Sequence, residues 1–199
     1  MERFELTEGN LTKMGVKEAI GERRAYHSLQ DIEITRDLVM DLAECAQLAP
    51  SCFNSQPWRF IFAYDQDILK RLRGTLSKGN EWAHFASMIV AVFSKEDLDC
   101  VIKERKYYLF DCGVATAFMI LRATELGIVA HPIAGYSEEM VKEILGIPSE
   151  MRVIALVIVG KHSRTMRRNL SEKQIRIEKR RPDRLPLEEF VYMNAFKKD

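Results

Sequence analysis

The chain has 199 residues, of which 47% are hydrophobic and 30% are charged, and its formal net charge is +1. This length and hydrophobic content predict one well-filled domain over residues 1–199, and the near-zero charge gives no overall field that would favour nucleic acid or an acidic partner. The longest apolar run, Tyr107 to Leu121, is interrupted by Asp111. Because a membrane span needs about 20 apolar residues, we expect a soluble protein.

The apolar spacing predicts alternating helices and strands, which together indicate one α+β domain. After an N-terminal extension over residues 1–14, the predicted elements in chain order are helices over 16–24 and 36–48, a buried strand over 59–64, a helix over 66–76, a buried strand over 88–93, a helix over 103–126, a strand over 128–131, a helix over 138–145, a strand over 153–159 and a charged helix over 171–181. Thr35 and Ser137 are expected N-caps, and Gly127 is expected to close the longest helix.

The helix predicted over 103–126 is apolar on nearly every face, so we expect it to lie centrally. Its small residues Gly113, Ala115 and Ala117 would let another backbone approach closely. This pattern favours contact with a second copy of the chain.

Residues 161–199 form a predicted basic C-terminal arm. From Lys161 to Arg184 there are ten Lys or Arg residues against three Asp or Glu, and apolar character returns between Leu185 and Tyr192. One interpretation is a solvated tail. The alternative is an arm that meets a phosphate or a second subunit.

The four cysteines, Cys45, Cys52, Cys100 and Cys112, form no C-x-x-C pair, and no Cys/His spacing indicates zinc. We therefore predict no metal site. Cys45 and Cys112 fit buried helix positions, and Cys52 fits a tolerated small residue better than a nucleophile. Reduced thiols and the lack of a signal peptide favour a cytoplasmic protein.

Two polar segments carry the functional signal. The run from Ala49 to Trp58 holds two prolines, two serines, an Asn and a Gln between a predicted helix and a predicted strand, which indicates a rigid loop. Fixed hydrogen-bonding groups of this kind suit a flat, heteroatom-rich ligand. Upstream, Arg23, Arg24 and His27 indicate a bound organic phosphate.

These segments resemble the FMN-dependent nitroreductase family, which has an Arg-rich "RRSxR" segment followed by an "APSxxNxQPW" loop. The matching residues here are 23–27 and 49–58, and later matches are Asp111-Cys112-Gly113-Val114-Ala115 and Leu145-Gly146-Ile147-Pro148. The resemblance runs from about Gly21 to Arg184. It implies a nitroreductase-like α+β fold with a central, mostly antiparallel sheet flanked by helices, and a C-terminal arm that extends onto the partner subunit.

The resemblance also implies an FMN site at the interface of a homodimer. The phosphate would be held by Arg23, Arg24, Ala25, His27 and Arg184. The ring would meet the loop of the second subunit at Pro50, Ser51, Cys52, Asn54 and Gln56. Its opposite edge would meet Pro132, Ile133, Ala134 and Gly135. Ala25 replaces the family's usual Ser, and His27 replaces a Lys or Arg.

The activity that the resemblance implies is hydride transfer from NADH or NADPH, through flavin N5, to an electron-poor acceptor such as a nitroaromatic or a quinone. No side chain is required as a catalytic acid, base or nucleophile. Two alternatives remain open. The same fold and flavin could serve heterocycle dehydrogenation, dehalogenation or flavin fragmentation. A non-catalytic flavin carrier or nucleic-acid binder is the other, although the basic arm lacks the interleaved aromatics that single-strand binding favours.

Overall fold

A computed structural model describes residues 14–196. Within this range the helices are α1 (Val16–Glu22), α2 (Arg36–Gln47), α3 (Gln66–Arg73), α4 (Tyr107–Glu125), α5 (Glu138–Leu145) and α6 (Glu172–Lys179). The strands are β1 (Leu29–Gln30), β2 (Arg59–Ala63), β3 (Met88–Ser94), β4 (Val101–Ile102), β5 (Arg105–Lys106), β6 (Val129–Ile133) and β7 (Arg152–His162). The predicted α+β class with an antiparallel sheet is confirmed, and the expected extension over 1–14 lies almost wholly outside the described residues.

The sheet is organised around β7, its longest strand. β7 pairs antiparallel with β3 along most of its length, with β6, and with the short β1 at its end. β2 extends the sheet beyond β3, also antiparallel. Val and Ile dominate β3 and β7, which suits strands that are buried on both faces.

Both faces of the sheet are covered, because alternate side chains along each strand point to opposite sides. Ile89, Ala91, Leu156 and Ile158 face one core, which α3, α5 and the buried Trp82 complete. Met88, Val90, Val157 and Val159 face a second core, covered by α2 and α4. The strand period of two thus produces a three-layer arrangement in which the sheet separates two helical layers.

Helix ends follow the predicted capping chemistry. Thr35 Oγ1 accepts the N–H of Leu38, and Ser137 Oγ accepts the N–H of Met140. Gly127 and Gly146 adopt left-handed φ angles of 70° and 66° after α4 and α5, a conformation that glycine adopts without a steric penalty.

Three sequence expectations were wrong in detail. The strand predicted at 59–64 is only half-buried, because β2 is a sheet edge. The long helix begins at Tyr107 rather than Lys103, because residues 101–106 form the small β4–β5 hairpin. Finally, α4 buries one face, while Leu109, Phe110 and Phe118 stay exposed on the other, so the helix is not enclosed.

The C-terminal region divides into two parts. Lys161 and His162 complete β7, and Leu170 and Glu178 are buried against the rest of this chain. From residue 185 to residue 196 the chain is exposed, with apolar side chains at Leu185, Leu187, Phe190, Val191, Tyr192, Met193 and Phe196. The arm predicted over 161–199 is therefore docked on its own subunit up to α6. No helix among residues 14–196 has the length and apolar character needed to cross a membrane.

Candidate cofactor site

An arginine-lined cavity of about 320 Å³ lies between the end of α1 and the segment that follows α6. Its lining residues are Arg23, Arg24, Ala25, His27, His131, Ile177, Arg181, Pro182 and Arg184. The five residues predicted to hold a phosphate are thus brought together, although Arg184 is about 160 positions from the others. We call this space the arginine cavity.

The arginines repel one another. Burial lowers the pKa of Arg23, and the charges of Arg181, Arg184 and Arg24 lower it further. Among the described residues, none of these four guanidinium groups forms an ion pair with a carboxylate. A cluster of cations without a counter-ion is stabilised by a bound anion, and guanidinium forks match phosphate oxygens.

Backbone carbonyl groups hold the cluster together against this repulsion. Arg24 Nη2 donates to the carbonyl oxygens of Ile177 and Glu178, at 2.6 and 3.2 Å. Arg181 Nη2 donates to the carbonyl oxygens of Gly21 and Arg23, the latter at 2.8 Å. The segment after α1 and the segment around the end of α6 are therefore joined by hydrogen bonds from the arginines of each to the carbonyl groups of the other.

Glu178 is the buried anion behind the cavity. Its side chain is 4% exposed, and Oε1 accepts the backbone N–H groups of His27 and Ser28. His27 Nδ1 lies 3.4 Å from Oε1, and His162 Nε2 lies 3.3 Å from Oε2. Burial alone would raise the pKa of Glu178, but these contacts outweigh it and lower the pKa to about 2. The charge of Glu178 is thus maintained at neutral pH.

His131 is a neutral imidazole at the wall of the cavity. It stacks on Trp82 with ring centroids 4.6 Å apart, and its Nδ1 is 3.2 Å from the carbonyl oxygen of Tyr26. A carbonyl only accepts, so Nδ1 carries the proton and Nε2 is left as an acceptor. Burial, more than the nearby charges of His27 and Arg23, lowers the pKa of His131 to about 4.

The loop predicted to contact a ring, residues 50–57 (the 50–57 loop), is held in a strained backbone conformation. Phe53, Asn54 and Gln56 have φ angles of 48°, 59° and 50°, which cost about 1 kcal/mol or more each for side chains other than glycine. Ser51 Oγ accepts the N–H of Gln56 at 2.9 Å. Gln56 Nε2 donates to the carbonyl oxygen of Asn54 at 3.3 Å. Strain of this kind is common where a backbone is shaped for a ligand.

Two further contacts anchor this loop at Cys52. The buried Asp111 accepts the N–H of Cys52 through Oδ2 at 2.7 Å. Cys52 is also bonded to Cys100 in a disulfide, so the expectation of four reduced thiols was wrong. The spacing of the cysteines gave no sign of this pair, because the two residues are 48 positions apart. The connection between β3 and α4 brings Cys100 next to Cys52.

The loop residues Pro50, Ser51, Cys52, Asn54 and Gln56 do not line the arginine cavity of their own chain. Phe53 and Asn54 are exposed, and the exposed fraction of Phe53 is 89%. The two predicted halves of the site are therefore separate within one subunit.

The segment predicted to meet the opposite edge of a ring belongs partly to the sheet. Pro132 and Ile133 lie in β6, and the Ile133 side chain is in the core. Pro132 and Ala134 are exposed. Gly135 packs against Asn80, whose Nδ2 would be 2.5 Å from an added Cβ and donates to the Gly135 carbonyl oxygen. The missing side chain at Gly135 thus makes room for Asn80.

Glu178, Arg181 and His131 are not among the residues that the sequence predicts for the site. Glu178 lies in a strongly basic run, where a carboxylate is expected to be one surface charge among many. A buried acid is detectable only when the burial is known. A helical pattern places Ile175 and Glu178 on one face, and this was the one available signal.

Comparisons with known proteins agree with this fold. A family model described as the nitroreductase family matches residues 20–161. The chain is similar to an Archaeoglobus fulgidus protein named as a candidate NADH dehydrogenase/NAD(P)H nitroreductase, with 30% identity over 146 residues, 69% of this chain and 80% of that protein. It is also similar to an NADH dehydrogenase of Thermus thermophilus, with 24% identity over 184 residues, 77% of this chain and 89% of that protein.

Solved structures show the same similarity. An oxidoreductase containing FMN aligns with a TM-score of 0.78 and 25% identity, covering 98% of this chain and all of that chain. A nitroreductase family protein of Clostridium difficile aligns with a TM-score of 0.74 and 21% identity, covering 92% and 99% of the two chains. The chain belongs to the nitroreductase family.

Replacing Glu178 tests its role behind the cavity. Glu178→Gln keeps an acceptor for the two backbone N–H groups but removes the charge beside His27 and His162, so we expect a loss of about 1–2 kcal/mol in the free energy of unfolding at pH 7. Glu172→Gln is the matched control, because Glu172 is exposed on the same helix. Urea denaturation measures both variants. Equal stability of the two would show that Glu178 contributes no more than a surface charge.

Acidification tests the neutral state of His131. Between about pH 6.5 and 4 the unfolded chain binds a proton at this imidazole and the folded chain does not, so the free energy of unfolding falls as the pH falls. At pH 5 the loss from this residue is about 2 kcal/mol relative to pH 8. His131→Gln should remove that part of the loss, and His84→Gln, at an exposed position, should not. Parallel stability curves for wild type and His131→Gln between pH 8 and 5 would refute this assignment.

Proposed function

We propose that this chain is an FMN-dependent oxidoreductase that uses NADH or NADPH to reduce an electron-poor acceptor, such as a nitroaromatic or a quinone. Oxidoreduction with FMN and NAD(P)H accords with its membership of the nitroreductase family. The observation that carries the proposal is the arginine cavity, in which Arg23, Arg24, Arg181 and Arg184 converge without a carboxylate partner among the described residues.

The residues present fit a flavin phosphate. Among residues 14–196, the guanidinium groups of Arg23 and Arg184 supply charge and are not tied to carbonyl groups. Arg24 and Arg181, by contrast, use Nη2 to bind carbonyl groups and fix the cavity wall. Ala25 contributes no hydroxyl, so the phosphate would depend on guanidinium groups and backbone N–H groups. A dianion here would relieve the repulsion that lowers the pKa of Arg23.

The wall beyond the arginines suits the polar remainder of such a cofactor. His131 presents an Nε2 acceptor, which can receive a hydroxyl donor, and its low pKa keeps it from adding charge at neutral pH. Glu178 holds the His27 backbone in place by accepting its N–H. Bound FMN would supply two-electron transfer between the nicotinamide and the acceptor. The chain's own task is then to bind, orient and shield the cofactor.

A second copy of the chain would complete the site. The strained 50–57 loop does not reach the arginine cavity of its own subunit, and we infer that it covers the ring bound by the partner. Exposed apolar side chains on α1, α2 and α4, together with those beyond Arg184, supply a surface for such a dimer: Val16, Ile20, Met40, Leu48, Leu109, Phe110 and Phe118. Exposed large apolar side chains in this number are typical of an interaction site.

Binding of FMN and riboflavin by Arg23→Gln tests the cavity assignment. The purified wild-type protein should be yellow and release FMN on denaturation. Loss of one charge-assisted contact should weaken FMN binding by about 10-fold or more while leaving the weaker riboflavin binding nearly unchanged. Fluorescence titration of the apoprotein measures both ligands.

Arg168→Gln, an exposed arginine outside the cavity, removes the same charge and should bind FMN as wild type does. A wild-type protein that ignores added FMN would refute the proposed cofactor. If Arg23→Gln weakens riboflavin and FMN equally, a flavin binds but its phosphate is not in the arginine cavity. Steady-state reduction of a nitroaromatic and of a quinone, each with NADH and with NADPH, then identifies the acceptor class.

Truncation after Arg184 tests the dimer. The wild-type protein should sediment at twice the chain mass. Removing residues 185–199 should weaken the dimer and raise the FMN dissociation constant together by about 10-fold or more, because buried apolar contacts are lost from the interface. Sedimentation at several protein concentrations, with FMN absorbance followed in the same cell, measures both. A monomer that retains FMN would contradict the shared site.

A further inference from the structure

The Cys52–Cys100 disulfide joins the 50–57 loop to the segment that precedes the β4–β5 hairpin. The two Cα atoms are 6.1 Å apart. We propose that this pair is a reversible redox site, acted on by small thiols and disulfides, whose closed form fixes the 50–57 loop. The redox chemistry stands by itself, while its effect on cofactor retention rests on the proposed function.

The loop needs such an anchor because its backbone is strained. Phe53 and Asn54 directly follow Cys52 and both have left-handed φ angles. Without external ties, these residues would relax toward the common negative-φ regions. Close to Cys52, the ties are the N–H contact with Asp111, the contacts of Ser55 N–H and Oγ with the Cys52 carbonyl oxygen, and the bond to Cys100. Of these ties, only the disulfide is covalent, and only the disulfide can be broken by a thiol.

The pair is accessible, in contrast to Cys112. Cys52 and Cys100 are each half-buried, so a small thiol can approach them. Cys112 is fully buried, and burial raises the pKa of its thiol to about 12. Burial and Asp41 also raise the pKa of Cys45. Because the thiolate is the reactive form, neither free cysteine competes well for exchange.

Carboxylates beside the sulfur atoms favour the closed form. Cys100 donates its N–H to Asp99 Oδ1 at 2.8 Å, and Asp111 contacts the backbone at Cys52. Negative charge nearby destabilises a thiolate at either sulfur. Ligand atoms of Cys52, Asp99 and Cys100 lie within 4.8 Å of one another, as in a metal site, but two sulfurs bonded to each other are not available as thiolate ligands.

Opening the site is a balanced exchange. A small thiolate attacks one sulfur, forms a mixed disulfide with that cysteine and releases the other as a thiolate, which takes a proton. A second small thiol then attacks the mixed disulfide, leaving the protein dithiol and one small disulfide. Two electrons and two protons pass from the two small thiols to the protein. Closure by oxidised glutathione is the reverse.

The experiment compares wild type, the Cys52→Ser/Cys100→Ser double variant and the control Cys45→Ser, each before and after dithiothreitol. Thiols are counted in denaturant, the thermal unfolding midpoint is measured, and hydrogen exchange is followed at the amides of residues 54–56. Dissociation of FMN is timed separately. Wild type should show two thiols before and four after reduction, with peptides containing Cys52 and Cys100 linked.

Reduction should lower the wild-type midpoint by about 5–10 °C, because the bond closes a long loop of the unfolded chain. Loop amides should exchange roughly 10-fold faster, and FMN should leave faster. Cys45→Ser should respond in the same way as wild type. The double variant should resemble reduced wild type with or without reductant.

Four free thiols in wild type after incubation with oxidised glutathione would overturn the proposal, as would stoichiometric Zn²⁺ on an unbonded pair. A closed bond whose reduction changes neither the midpoint nor loop exchange would also overturn it. If the protein binds no FMN in either redox state, the proposed function fails. The thiol count, the midpoint and the exchange rates then still decide the redox site.

Discussion

The buried carboxylate of Glu178 is the contact on which the arrangement of the site depends. It accepts two backbone N–H groups from the segment after α1 and lies beside His27 and His162. Removing a carboxylate from water is costly unless such partners replace the water. Once Glu178 is satisfied, α6 is fixed against β7, and Arg181 and Arg184 are placed beside Arg23.

The arginine cavity therefore keeps like charges close together, and the fold alone does not neutralise their repulsion. Carbonyl groups hold Arg24 and Arg181 in place, yet the positive charges remain close together. Preorganised cations of this kind gain more from an anion than flexible surface arginines do, because the cost of assembling them is already met by Glu178 and the backbone contacts. His131 completes the wall as a neutral imidazole, which adds no further repulsion to the arginine charges.

The 50–57 loop follows a different principle. Its positive φ angles are maintained by hydrogen bonds within the loop and by two contacts from outside it, with Asp111 on α4 and with Cys100 before the β4–β5 hairpin. Both anchors act on Cys52, at the start of the strained turn. The loop is thus fixed at its base and exposed at its tip, as at Phe53.

The sequence by itself determined most of the secondary structure, the helix caps and the family. Continuous apolar runs rich in Val and Ile located the buried strands β3 and β7, because both faces of these strands are covered by the two cores. Local chemistry located Thr35, Ser137 and Gly127, because capping needs partners only a few residues away. The Ala49–Trp58 loop and the arginine pair were recognised as motifs, since each lies within ten consecutive residues.

The tertiary structure alone decided what lies far apart in the chain. The Cys52–Cys100 bond, the burial of Glu178 against His27 and the convergence of Arg181 on Arg23 join residues 48 to about 158 positions apart. No periodicity encodes such pairs, because each pair depends on how distant elements of the fold pack together. The hairpin at 101–106 and the exposed edge of β2 were missed for the same reason: pairing partners and sheet order are properties of the assembled fold.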